Sequence, residues 1–157
     1  MKSSDLFLAV IEDQKGSYTH MEFNKFSKEY EVIHVFKLPW PFHYGYLKET
    51  FVDSDGDPLD LAVFGDFQSD TGLELYVRII GAAVIKDGDH KIFAVSPLDE
   101  QFGKCTEYTQ IPLELREKGE NIFARGGHQI EEILTSSAAV RFIKQYQTGN
   151  LTKEETQ

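Results

Sequence analysis

Aspartates stand at positions 53, 55, 57 and 60, in the run Asp53-Ser54-Asp55-Gly56-Asp57-Pro58-Leu59-Asp60. In extended backbone, residues two apart point to the same side, so Asp53, Asp55 and Asp57 can share one face. Carboxylates packed this closely repel, and some must stay protonated unless a cation neutralises them. A hard divalent metal held by oxygen ligands is the simplest such partner. Asp, Gly and Pro also favour turns, so a solvated acidic turn is the plainer alternative. The segment after Asp60 weighs against that alternative: Leu61-Ala62-Val63-Phe64 reads as a buried strand, which sets Asp60 at the strand mouth. A calcium loop of EF-hand type would need Gly after the third Asp and Glu at its twelfth position, where Pro58 and Phe64 stand.

The rest of the chain bounds what such a cluster can serve. A length of 157 residues suits a single domain, 1–157, with a real core. Hydrophobic residues make up 41% and aromatics 13%, the composition of a globular chain. The net charge of −10 argues against nucleic acid, whose phosphates demand a basic surface, and fits a cation binder. No apolar run approaches the roughly 20 residues of a membrane span, and Met1-Lys2-Ser3-Ser4-Asp5 opens no signal peptide. Cys105 is the only cysteine, so no intrachain disulfide is possible and a cytoplasmic setting is expected.

The elements that must position the carboxylates are mainly strands. Apolar runs and alternation predict them at Leu6 to Ile11, Tyr18 to Phe23, Glu29 to Phe36, around Tyr44-Gly45-Tyr46, and at Leu59 to Phe64, Leu73 to Ile85 and Lys91 to Val95. Pro39 and Pro41 interrupt the third and fourth of these, with Trp40 between them as a rigid plug or an oligomer contact. Pro112 to Lys118 predicts one or two helical turns ending at Gly119. Gln129 to Gln147 is the best helix candidate, with Thr135 or Ser136 able to interrupt it and cap a shorter helix. The tail from Thr148 is polar and expected to fray. The fold class is therefore α+β, mainly β: a small barrel flanked by one or two helices.

Asp55-Gly56-Asp57-Pro58-Leu59-Asp60-Leu61 resembles the D-x-D-P-hydrophobic-D-hydrophobic signature of the family I soluble inorganic pyrophosphatases. Tyr44-Gly45-Tyr46, Arg78-Ile79-Ile80-Gly81 and Asp89-His90-Lys91 resemble further family segments in the family's order. The resemblance runs from about Ile11 to Gln147. It implies a distorted, OB-like closed β-barrel with flanking helices, and Mg²⁺-dependent hydrolysis of pyrophosphate to two phosphates, with Mn²⁺ as a substitute. By the same resemblance Asp55, Asp60 and Asp89 would hold the tighter metal sites. Asp87 would serve metals arriving with substrate, while Glu12, with Glu22, would reach another. Asp57 would orient or deprotonate the attacking water, and Lys91, Tyr44 and Tyr146 would bind phosphate oxygens.

Several positions depart from the pattern. His20 stands where the family usually has Lys, and is expected to donate a hydrogen bond to phosphate instead. Val32 falls by ungapped counting at an arginine position, and Gln147 follows Tyr146 where the family has Lys. Only Gly88 separates Asp87 from Asp89. Lys37, Lys48 or Arg125 would have to supply the missing charge. Hydrolysis of another phosphoanhydride or phosphate ester, or metal binding without turnover, therefore stay open as alternatives. A homo-oligomer is expected too, with Trp40 and Phe42 as an exposed contact patch.

Overall fold

The computed structural model describes residues 6–50 and 57–147, so Asp53 and Asp55 lie outside the described residues. Alternation along the first half of the chain becomes β1 (Leu6–Asp13), β2 (Thr19–Asn24), β3 (Glu29–Val35), β4 (His43–Leu47), β5 (Asp60–Phe64), β6 (Leu73–Ile85) and β7 (Lys91–Val95). Neighbours run β1-β4-β5-β7-β6, and β6 returns to pair with β1, closing a barrel. The closure uses the length of β6. Its first half lies against β1, from Leu73↔Ile11 to Arg78↔Leu6, and its second half against β7. Because β6 intervenes in the chain, β5 and β7 are parallel, with Asp60 level with Lys91.

Period-two alternation divides the barrel residues into two sets. All five strands feed one cluster, which includes Ile11, Leu47, Leu61, Val63, Val77 and Ile92 and forms the interior. The helix α2 (Ser136–Lys144) sends Ala139 and Ile143 into that cluster and plugs the barrel. The other cluster lies on the outer face of β4, β5 and β7, where Phe42, Phe64 and Phe93 pack under Phe123 of the helix α1 (Leu113–Arg125). Tyr44, Asp60 and Lys91 belong to this outer set, one or two steps beyond its phenylalanines. The hairpin β2–β3 stands apart from the barrel sheet. Its ties to the body include the Trp40 indole N–H, which donates to the Thr19 carbonyl at 2.7 Å, and Asp13, which accepts from the Met21 N–H at 2.7 Å.

Three expectations are corrected. Ile130–Leu134 is a strand, β8, paired with the far end of β6, rather than the start of a long helix. The predicted interruption is real, because the Thr135 hydroxyl caps α2 by accepting from the Ala138 N–H. The first helix passes through Gly119 instead of stopping there. A Cβ at that position would come 2.6 Å from the Phe42 ring, so Gly119 sets the close approach of α1 to the barrel. Trp40 and Phe42 are buried, not an exposed patch: Trp40 stacks on Tyr44 with ring centroids 4.5 Å apart. The plug reading of Trp40 holds and the contact-patch reading fails.

Gly45 explains the spacing of its two tyrosines. It faces the interior between them, and a Cβ there would lie 1.9 Å from the Val10 carbonyl oxygen of β1. Backbone cannot yield as a side-chain tip can. Gly45→Ala is expected to lower the unfolding free energy by at least about 2 kcal/mol, within the usual range for overpacking. Urea unfolding checks this, and an unchanged midpoint would contradict the close β1–β4 approach.

Candidate active site

The outer ends of β1, β4, β5 and β7, the hairpin and the end of α1 surround a cleft of about 870 Å³. Among the described residues, seven carboxylates line it: Glu12, Glu22, Glu49, Asp57, Asp60, Asp87 and Asp89. The parallel register places Lys91 beside Asp60, and the turn joining β6 to β7 adds Asp89. Asp87 Oδ1 accepts from the Asp89 N–H at 2.9 Å, so that turn fixes both aspartates. The Lys91 ammonium lies 2.7 Å from Asp60 Oδ2 and 3.3 Å from Asp89 Oδ2, and the residue is only 2% exposed. Its Nζ also sits 5.6 Å from the Tyr44 ring centroid and 5.7 Å from that of Phe123. A buried ammonium is stable only with such partners.

Burial raises the Asp60 carboxyl above its ordinary value, Lys91 opposes the rise, and Asp89 adds to it. Burial also pushes on Asp89, but Lys91, a hydrogen bond received from Asp60, and His128 together bring it below the usual carboxylate range. Asp60 is thus the harder of the two to ionise and Asp89 the easier. Tyr44 hydrogen-bonds Asp60 through its hydroxyl, and its phenol is pushed well up by burial and then by that carboxylate. Glu12 is raised to about 8 by burial, which His20 opposes and Asp13, Asp60 and Glu22 reinforce. These are oxygen donors of the kind a hard divalent cation takes, although the described residues alone hold no group of three placed to ligate one. Lys91 stands in for part of that charge.

His20 is engaged within the protein. Its Nδ1 lies 2.6 Å from Asp13 Oδ2 and its Nε2 lies 3.3 Å from Glu22 Oε2, with Trp40 and Tyr44 edge-on to the ring. Burial disfavours the imidazolium, but Asp13, Glu12 and Glu22 outweigh it and raise His20 above its ordinary value. Asp13 is a residue that sequence reasoning missed. Its signal was an acid at the end of a strand whose preceding residues are apolar, where an unpaired charge would be costly.

His128 was missed as well. Its N–H donates back to the Phe123 carbonyl at 3.0 Å, and its ring reaches the cleft. Nδ1 lies 3.4 Å from Asp87 and Nε2 lies 3.7 Å from Asp89. Nothing in the Gly126-Gly127-His128 stretch announces that position.

The structure brings Glu12, His20, Glu22, Tyr44, Asp57, Asp60, Asp87, Asp89 and Lys91 to one cleft. Asp55 lies outside the described residues, although the buried Thr50 hydroxyl ties Leu47 to Leu59 on either side of positions 51–56. Tyr146 is not among the lining residues. It packs on Phe142 at 5.2 Å and against the barrel interior, next to Gln147, which bridges to the lining residue Thr50. Of the substitute cations, Lys48 is held by Glu74 at 2.7 Å, and Lys37 and Arg125 do not line the cleft.

The family model for inorganic pyrophosphatase matches residues 9–147. An inorganic pyrophosphatase of Ureaplasma parvum is 34% identical over 109 residues, a match covering 66% of this chain and 60% of the relative. One from Campylobacter jejuni is 32% identical over 122 residues, covering 73% of this chain and 70% of the relative. The match thus spans less than two thirds of the first relative's length and slightly more of the second's. The crystal structure of an inorganic pyrophosphatase from Ehrlichia chaffeensis superposes with a TM-score of 0.81 at 23% identity, over 93% of this chain and 96% of that one. That likeness establishes the barrel-and-helix fold.

The proton held by Glu12 makes metal binding pH-dependent, because a cation must displace it. With its folded pKa raised from 4.5 to about 8, Glu12 favours the folded metal-free state at low pH. That contribution fades as pH rises toward 8, where the unfolded chain has already lost the proton. Mg²⁺ should therefore raise the melting temperature more at pH 8 than at pH 6, and Asp60→Asn should lose most of the rise. Thermal melts with and without metal read this. A rise independent of both pH and Asp60 would place the cation elsewhere.

Proposed function

We propose that this chain, which belongs to the inorganic pyrophosphatase family, is a Mg²⁺-dependent enzyme that hydrolyses pyrophosphate to two phosphates. The observation that carries the reading is the convergence of seven carboxylates on one cleft, with the buried Lys91 between Asp60 and Asp89. Asp60 and Asp89, with Asp55 from outside the described residues, would hold the metal, and Asp87, Glu12 and Glu22 would serve further ions. Mg²⁺, or Mn²⁺ in its place, supplies charge neutralisation of the substrate oxygens and acidifies the attacking water.

The chain's own groups supply the rest. Asp57 is exposed at the cleft lining and free to accept a proton from the attacking water on its carboxylate. Once Asp60 and Asp89 are otherwise neutralised, the Lys91 ammonium is available to a phosphate oxygen. Tyr44 orients Asp60 through its hydroxyl and, stacked on Trp40, walls the site with aromatic surface. His20 presents Nε2 beside Glu22, fixed from behind by Asp13.

We place the protein in the cytoplasm, where a reducing setting suits the lone Cys105, and as a homo-oligomer. Support for assembly comes from the exposed Val32, Ile33 and Val35 on β3 rather than from Trp40 and Phe42. No described helix is long and apolar enough to cross a membrane.

Purified protein supplied with pyrophosphate and Mg²⁺ should release phosphate. No turnover with either Mg²⁺ or Mn²⁺ would overturn the reading, and release from nucleotides but not pyrophosphate would redirect it to another phosphoanhydride. Asp57→Asn should cut kcat by at least about 10²-fold, the lower end for general-base loss, while the metal-dependent rise in melting temperature persists. Light scattering should give a mass above 17.9 kDa, and a constant monomer mass over a concentration series would refute assembly.

A further inference from the structure

Pyrophosphate brings several negative charges into a cleft that already carries seven carboxylates. Bound metals offset the carboxylates, but substrate oxygens facing away from the metals need positive groups of their own. Among the described residues, the basic side chains lining the cleft are His20, Lys25, Lys91 and His128. Two of these are hydrogen-bonded to carboxylates, His20 to Asp13 and Lys91 to Asp60, while the His128 ring lies 3.4 Å from Asp87 and 3.7 Å from Asp89 with its buried Nδ1 outside hydrogen-bond geometry. Lys25 makes no ion pair with any described carboxylate.

Its placement is fixed although its head is exposed. Lys25 follows β2 at the tip of the β2–β3 hairpin. Asn24 Oδ1 accepts from the N–H groups of Phe26 and Ser27, and Asn24 Nδ2 donates to Glu31 across the hairpin. The Lys28 N–H closes the turn onto the Asn24 carbonyl at 2.9 Å. The backbone carrying Lys25 is thereby set beside the cleft, leaving the four-carbon stem to carry the ammonium toward a ligand.

We infer that Lys25 binds a substrate phosphate oxygen away from the metals, and that the hairpin tip is part of the substrate site. This rests on the proposed pyrophosphate hydrolysis. The contact acts equally on bound substrate and on the transition state, so it belongs to affinity rather than to the chemical step. An exposed ammonium is partly screened, so its contribution falls with salt.

Binding of imidodiphosphate, a pyrophosphate analogue resistant to hydrolysis, measured by calorimetry with Mg²⁺ present, tests the assignment. Lys25→Ala and Lys25→Gln should weaken binding about tenfold, the low end for a charge-assisted hydrogen bond, and flatten its salt dependence. Lys25→Arg should keep affinity within about threefold, and Lys104→Ala, which removes an exposed lysine outside the cleft, should leave it unchanged. In turnover, KM for pyrophosphate should rise by a similar factor with kcat within about twofold. Affinity of Lys25→Ala within twofold of the unsubstituted protein, or a loss matched by Lys104→Ala, would overturn the assignment while leaving pyrophosphate hydrolysis standing. Failure of the unsubstituted protein both to bind the analogue and to hydrolyse pyrophosphate would overturn the two together.

Discussion

The ammonium of Lys91 between the carboxylates of Asp60 and Asp89 is the constraint on which the site depends. Parallel pairing of β5 and β7 puts Asp60 and Lys91 side by side on the barrel's outer face, and the β6–β7 turn adds Asp89. Tyr44 and Phe123 close over the ammonium and take it out of water. Removing one partner from such a group leaves a buried charge uncompensated, which costs more than the pair itself contributes. The three groups therefore hold one another in place. They also define a region where added positive charge is favoured, since burial raises the Asp60 carboxyl despite the neighbouring lysine.

The same face of the sheet serves packing and chemistry in succession. Toward one end β4, β5 and β7 present Phe42, Phe64 and Phe93, which pack beneath Phe123 of α1. Toward the other, two or four residues along, they present Tyr44, Asp60 and Lys91. Phe123 and Tyr44 belong both to the apolar cluster and to the cleft lining, so the core ends where the site begins. Gly119 lets α1 come close to Phe42, and that approach sets how far Phe123 and the following His128 reach. The β2–β3 hairpin completes the enclosure with His20, Glu22 and Lys25.

Most of this was legible in the sequence because strands write their pleat into it. The alternation from Tyr18 to Phe23 and from Glu29 to Phe36, and the apolar runs of β5 and β7, gave those strands to within a residue or so. Asp57 and Asp60 stood out as part of an acidic cluster with no packing explanation, whereas Glu12, Glu22, Asp87 and Asp89 were reached only through the family resemblance. What stayed hidden depends on contacts distant in sequence. β8 reads Ile-Glu-Glu-Ile-Leu, whose apolar residues at i, i+3 and i+4 fit a helix, and it is a strand because β6 offers an unpaired edge there. Gly119 carries a helix-stopping signal that packing against Phe42 overrides. Trp40, between two prolines, gives no sign that Tyr44 and the Thr19 carbonyl will bury it. The partnerships of His20 with Asp13 and of His128 with the Asp87–Asp89 turn are likewise set by the fold, and a lone histidine cannot declare its partner.

Urea unfolding of Lys91→Met, with and without saturating Mg²⁺, tests most directly whether the carboxylate cluster requires a cation. Without metal the substitution should cost about 3 kcal/mol, the lower end for breaking a buried pair. With Mg²⁺ more than half of that loss should be recovered, because a metal bound to the native state replaces the missing charge. A metal-free Lys91→Met as stable as the unsubstituted protein would contradict the account.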